Sequence, residues 1–279
     1  MIKSLLKNTP LYTPLLIAKR YLDNLLNKRH PLQNVKTDNG YDLIRLGSDY
    51  GGWTFVDNSS LYGGTIISAG LGEDASFDIE FASKYDARVI MIDPTPRAID
   101  HFNFISKNIG DTIEFKNEHT PKQNALNYDL SVIQPSQLVL DTRALWNKAG
   151  KIRFYEPMNA SHVSHSIVNF QNNYSSRSSP YIEVDTCSVR QLLHDHNEDH
   201  ASVKLLKLDI EGAEIEVIKS MINDGFMPEQ ICVEFDELSK PSRRAFDRVT
   251  EVNRLLEVNG YICIYTDGNT NFLYYRTSD

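Results

Sequence analysis

The sequence predicts a doubly wound α/β fold with a mostly parallel sheet that ends in an antiparallel hairpin. Three observations predict it. Short apolar runs alternate with helical patterns along most of the chain, the order that builds a parallel sheet with crossover helices. The runs Thr65–Ala69 and Arg88–Asp93 are apolar through their centres, as strands covered on both faces are. The final segments, Tyr261–Thr266 and Asn271–Tyr275, are joined by Asp267-Gly268-Asn269, a hairpin signal.

From the start of the chain, apolar residues recur at helical spacing over residues 14–27, and His30-Pro31 stops that helix. Residues 31–64 are broken by glycine and read as strands and turns. Strand Thr65–Ala69 opens the core, Gly70–Asp74 is a turn, and Ala75–Tyr85 is a helix with Phe77, Phe81 and Ala82 on one face. After strand Arg88–Asp93, Pro94 and Pro96 break the chain and a helix resumes over Ala98–Asn108. Residues 110–200 carry the faintest pattern: strands near Leu138–Leu140, Ile152–Tyr155 and Tyr181–Val184, a Ser/Asn-rich loop over Asn169–Pro180, and a short helix with a polar turn over 187–200. Then follow strand Val203–Asp209, helix Ala213–Ile222, strand Gln230–Phe235, and a helix capped by Ser242 and stopped by Gly260.

The 279 residues carry a net charge of −8, unevenly spread. Residues 1–36 hold seven basic residues against the single acid Asp23, so this arm is +6 and the remainder is −14. An acidic body argues against nucleic-acid binding. The basic amphipathic arm is expected to pack on residues 37–279 or on a second copy in a homodimer. The alternative is peripheral contact with an anionic membrane face. Cys187, Cys232 and Cys263 are widely spaced and form no CxxC pair, so a reducing, cytoplasmic setting is expected. No apolar run reaches the 18 or so residues that a membrane span needs, and the basic start lacks the apolar stretch of a signal peptide. If the membrane contact exists, it lies at the inner face.

The chemistry is expected at the carboxyl ends of the strands. Gly70 and Gly72 let the backbone turn tightly and a ligand approach it. A nicotinamide fingerprint would need a third glycine, and Glu73 and Asp74 stand where a pyrophosphate would sit on the helix N-terminus. Two acids there repel a dianion and suit a ligand carrying an ammonium and a sulfonium, as S-adenosylmethionine does. Asp93, 23 residues after Gly70, closes the second strand, where an acid can accept hydrogen bonds from ribose hydroxyls. Asp209 and Glu234 close two neighbouring strands and are expected within several ångströms of each other, facing an acceptor as bases. With Asp236 they could also ligate Mg2+, which would acidify an acceptor hydroxyl. Glu214 and Glu237 read instead as helix-dipole and solvated loop acids. His165, before the Ser/Asn-rich loop, is a further candidate base, whereas His194, His196 and His200 read as a solvated turn.

These residues together resemble the FkbM-type methyltransferases. The resemblance rests on Tyr50-Gly51-Gly52-Trp53, on Ile67 to Asp78, on Ile92-Asp93-Pro94-Thr95-Pro96, on Leu205 to Glu214 with its Lys-Leu-Asp-Ile-Glu-Gly-Ala-Glu core, and on Val233-Glu234-Phe235. It implies a Rossmann-like class I methyltransferase fold, S-adenosylmethionine as cofactor, and O-methylation of a hydroxyl on a small-molecule or glycan acceptor, with residues 110–200 building the acceptor region. The Ser68-Ala69-Gly70-Leu71-Gly72-Glu73-Asp74 turn departs from the Asp-x-Gly-Ala-Asn-x-Gly of many members. Two rivals stand beside this reading: a nicotinamide-dependent oxidoreductase, and a non-catalytic Rossmann-like binding module.

Overall fold

The computed structural model describes residues 29–38, 40–116, 125–155, 180–239 and 242–277. The helix expected over residues 14–27, most of the basic arm and most of the Ser/Asn-rich loop lie outside the described residues. The strands are β1 (Leu43–Leu46), β2 (Trp53–Val56), β3 (Thr65–Ala69), β4 (Arg88–Ile92), β5 (Thr112–Phe115), β6 (Leu126–Asp129), β7 (Leu138–Asp141), β8 (Ala144–Leu145), β9 (Gly150–Tyr155), β10 (Tyr181–Cys187), β11 (Val203–Leu208), β12 (Gln230–Glu234), β13 (Tyr261–Thr266) and β14 (Asn271–Arg276). The helices are α1 (Ser76–Tyr85), α2 (Pro96–Lys107), α3 (Val189–Asp195), α4 (Glu214–Asn223) and α5 (Arg243–Val258).

Seven strands form the central mixed sheet in the order β13-β14-β12-β11-β3-β4-β7. The pairs β7–β4, β4–β3, β3–β11 and β11–β12 are parallel, and β14 lies antiparallel between β12 and β13. The closing hairpin therefore supplies the antiparallel strand, as its turn residues foretold. Alternate residues of each inner strand enter different cores, because successive side chains of a strand point to opposite faces. Ile67, Ile90, Leu206 and Val233 pack with α3, α4 and α5. Ile66, Met91, Leu205 and Cys232 pack with α1, α2 and strand β2. Each fully buried Leu, Ile or Phe here contributes roughly 1.5–3 kcal/mol of transfer free energy, so both faces hold the strand ends in fixed register.

Some local readings change. Helix α2 begins at Pro96, two residues before the expected start, because proline fits the first helical turn and the Thr95 hydroxyl accepts the Ala98 N–H. The short antiparallel pair β5–β6 and the sheet β8-β10-β9 lie among the described residues of the faint region. The β1–β2 ladder is tied to the main sheet by the buried Gln230 amide, which donates to the Val56 carbonyl at 2.9 Å and accepts the Val56 N–H at 2.8 Å. All three cysteines are free, with Cys187 and Cys232 buried. Among the described residues no helix is long and apolar enough to cross a membrane.

Candidate functional site

Strand order reverses between β3 and β11: β4 and β7 lie on one side, β12 and the hairpin on the other. At that point the chain ends pack closely. The Asp209 N–H donates to the Ala69 carbonyl at 3.1 Å and the Gly70 N–H to the Ile92 carbonyl at 3.0 Å. A Cβ on Gly70 would lie 1.8 Å from the Asp209 carbonyl oxygen, and the residue has φ +87°. Glycine is therefore obligatory there, for strand packing as well as for the turn. Gly72 is different. Its φ is +54°, but a Cβ there would meet nothing within 4 Å, so its backbone is open to an approaching ligand.

Asp93 organises this turn from the next strand. One carboxylate oxygen accepts the N–H groups of Leu71 at 3.1 Å and Gly72 at 3.0 Å. The other accepts the Thr95 N–H at 2.9 Å and hydroxyl at 2.7 Å. Its acceptor positions are thus filled by protein donors. Behind the turn, the His101 Nδ1 lies 3.3 Å from the Gly72 carbonyl, its Nε2 lies 3.1 Å from the Tyr128 hydroxyl, and that hydroxyl accepts the Ala75 N–H at 3.1 Å. A proton on Nδ1 satisfies every member of this chain. Burial holds the His101 pKa below its ordinary value, consistent with the neutral ring. Below the turn, the buried Lys207 ammonium donates to the Gly70 carbonyl at 2.5 Å and sits 5.8 Å from the Trp53 ring centre.

The two acids of the turn face away from each other's role. Asp74 accepts the Ser48 hydroxyl at 2.5 Å with one oxygen and the Ser76 N–H at 2.9 Å with the other, which pins the β1–β2 turn to the start of α1. Glu73 lies 4.0 Å from the Arg97 guanidinium of α2.

Beyond the reversal the character changes. Because Leu208 pairs with Val233, Asp209 and Glu234 stand side by side, as expected, and their carboxyls share a hydrogen bond. Burial, then the Asp209 charge, push the Glu234 pKa up to about 8, against the opposing 2.9 Å hydrogen bond from Thr270. Burial and a neighbouring carboxylate both favour the neutral form of Glu234. Glu211, at φ +58°, is a non-glycine residue in the left-handed region, which costs on the order of 1–3 kcal/mol. Its charge adds to those raising Glu234 and Asp236. The Tyr50 phenol lies within electrostatic reach of Asp209, Glu211, Glu234 and Asp74.

Some expectations are corrected here. Among the described residues no three His, Cys, Asp or Glu side chains are grouped to hold a metal ion, so the fold lends no support to a Mg2+ site at Asp209, Glu234 and Asp236. Asp236 is buried, and its pKa is raised by burial and then by Glu214, so its environment favours the neutral acid over a metal-binding carboxylate. Glu237 is not a solvated loop acid but is fully buried, and Glu214, also fully buried, does open α4 as a helix-dipole acid. One Glu214 oxygen accepts the N–H groups of Ile210 at 2.7 Å and Gly212 at 3.2 Å, closing the loop after β11, and Glu237 accepts the Arg248 Nε–H at 3.1 Å. His196 is likewise no solvated turn residue, since its Nε2 lies 3.1 Å from Asp141, which Arg143 also grips with two nitrogens. His165 lies outside the described residues.

Sequence reasoning missed His101 and Tyr128 as supports of the turn, and it noted Tyr50 only within a motif. Their partners come from distant elements, and no local spacing signals them. A lone histidine on the buried face of an amphipathic helix was the one available hint for His101.

The α/β domain thus carries an open glycine turn where its strand order reverses, beside a pair of adjacent carboxyls at the strand ends. The chain matches the model of the Methyltransferase FkbM domain over residues 68–263 and belongs to that family, which supports a methyltransferase role. Among solved structures it is similar to the Methyltransferase FkbM from Methylobacillus flagellatus KT, at 12% identity and a TM-score of 0.45. That match covers 88% of this chain and 48% of the other, so this chain spans about half the length of that protein. No curated protein matches it.

Proposed function

We propose that the chain is an S-adenosylmethionine-dependent methyltransferase of the Rossmann-like class I type that O-methylates a sugar or glycan-type hydroxyl. The observation that carries this reading is the pairing, at adjacent strand ends, of the open Gly72 backbone with the Asp209–Glu234 carboxyls. The residues fit a cationic nucleoside ligand. The turn is preformed by Asp93, His101 and Tyr128, the space above Gly72 is free, and the acids beyond it leave net negative charge. A pyrophosphate would meet that charge unfavourably, which sets aside the nicotinamide reading.

S-adenosylmethionine supplies a methyl group already activated on a sulfonium. The protein must then align the acceptor oxygen and remove its proton. The Asp209–Glu234 pair would supply the carboxylate that accepts the proton of the acceptor hydroxyl. Asp93, with its acceptor positions occupied, acts by shaping the turn.

The test is transfer of labelled methyl from S-adenosylmethionine to a polysaccharide or glycan fraction, with Asp209→Asn as the comparison. The expected loss is about 100-fold or more in turnover, the range for a general base, with unchanged thermal melting. Full activity in Asp209→Asn would remove the carboxyl pair from the chemistry.

A further inference from the structure

The turn between β1 and β2 is tied down by a dense set of hydrogen bonds. The Arg45 guanidinium donates to the Ser48 carbonyl at 2.7 Å and the Asp49 carbonyl at 3.2 Å. The Gly47 N–H reaches Glu80 at 2.7 Å and the Ser48 N–H reaches the Ser76 hydroxyl at 2.7 Å. The Ser48 hydroxyl oxygen accepts the N–H groups of Tyr50 at 3.1 Å and Gly51 at 2.9 Å, while its own proton goes to Asp74. A Cβ on Gly51 would fall 2.6 Å from the Asp74 Cγ, so the turn is packed against that acid without slack.

The side chain at the tip of this braced turn, Tyr50, is 74% exposed. An aromatic ring held on a fixed backbone surrenders little conformational freedom when it binds. Ser48 and Gly51 seat its turn directly on Asp74, with Asp209, Glu211 and Glu234 within electrostatic reach of the phenol. An aromatic face and carboxylates both hold a cation more strongly than a neutral thioether.

We propose that Tyr50 is the aromatic wall that recognises the positive charge of the methyl donor's sulfonium, so that the charged donor is held and its neutral product is released. This rests on the methyl-donor reading above. It also gives Asp74 a different task from contact with the donor's amino group: through Ser48 and Gly51, Asp74 fixes the turn that presents Tyr50.

Calorimetric titrations with S-adenosylmethionine, S-adenosylhomocysteine and sinefungin, whose amine replaces the methylsulfonium, test this in the wild type, Tyr50→Phe and Tyr50→Ala. The expected result is that Tyr50→Ala weakens the two cationic ligands about tenfold relative to S-adenosylhomocysteine, the scale of one desolvated cation–π contact. Tyr50→Phe should keep the ratio within about twofold, because the ring face is retained. Equal weakening of all three ligands, or no change in any, would overturn the proposal. Failure of the wild-type protein to bind any of the three would instead overturn the donor reading beneath it. Unchanged melting of both variants, expected for so exposed a residue, shows that the turn is intact.

Discussion

The two sides of the strand-order reversal solve opposite problems with the same residue type. On the β4–β3 side, Asp93 gives both carboxylate oxygens to backbone and hydroxyl donors, Asp74 does the same, and His101 and Tyr128 complete a closed chain of hydrogen bonds behind Gly72. On the β11–β12 side, acids crowd together: burial and then Asp209 push Glu234 toward its neutral form, and burial and then Glu214 do the same for Asp236. Fully partnered acids shape a backbone, whereas crowded acids hold protons at unusual pKa values. The second arrangement costs stability, the kind of cost that active sites characteristically carry.

That contrast can be broken or sharpened by three substitutions. The largest effect is expected from Gly70→Ala. Its Cβ would collide with the Asp209 carbonyl at the seam between the two sides, with φ at +87° besides. A loss of about 3 kcal/mol or more in urea unfolding is expected, and a near-neutral result would show that β3 and β11 are not packed this closely.

Next comes Glu234. Its folded pKa, about 8, lies above the ordinary carboxylate value of 4.5. The folded state therefore keeps a proton that the unfolded chain releases. The stability from this group is complete below pH 4.5 and is lost as pH rises through about 8. Unfolding free energy should fall between pH 5 and pH 9, and Glu234→Gln should remove roughly 1 kcal/mol or more of that fall. An identical pH slope in the variant would mean that the carboxyl is solvated and ionised.

The smallest stability effect belongs to Gly72→Ala. With open space around it, only the left-handed backbone resists a side chain, a cost of about 1 kcal/mol. Affinity for S-adenosylmethionine should fall by more than that, about tenfold or beyond, because the methyl group occupies the face offered to the ligand. Calorimetry showing unchanged affinity would place the ligand elsewhere.

The elements were legible where period alone decides. The apolar strands β3, β4, β11 and β12, the Ser242 cap and the Asp267-Gly268-Asn269 hairpin all form close to where the sequence puts them. The side-by-side placement of Asp209 and Glu234 followed from parallel register. What the sequence hid was partnership. Nothing near Glu214 or Glu237 signals complete burial, because the covering residues arrive from other elements. A strand-end Asp93 reads from the sequence as a ribose ligand, and the Leu71 and Gly72 amides that also point at it come from another element. Pro96 read as a breaker because proline's tolerance in a first helical turn depends on where the cap falls, and Thr95 supplies it. The pair β5–β6, each four residues long, is too short for its alternation to stand out.

The central claim is that the open glycine turn and the acids beyond it receive a cationic methyl donor. Calorimetric titration of the wild-type protein with S-adenosylmethionine tests it most directly. Saturable one-to-one binding that survives millimolar NADH as competitor is the expected result. Absence of binding at millimolar S-adenosylmethionine, or its displacement by NADH, would contradict it.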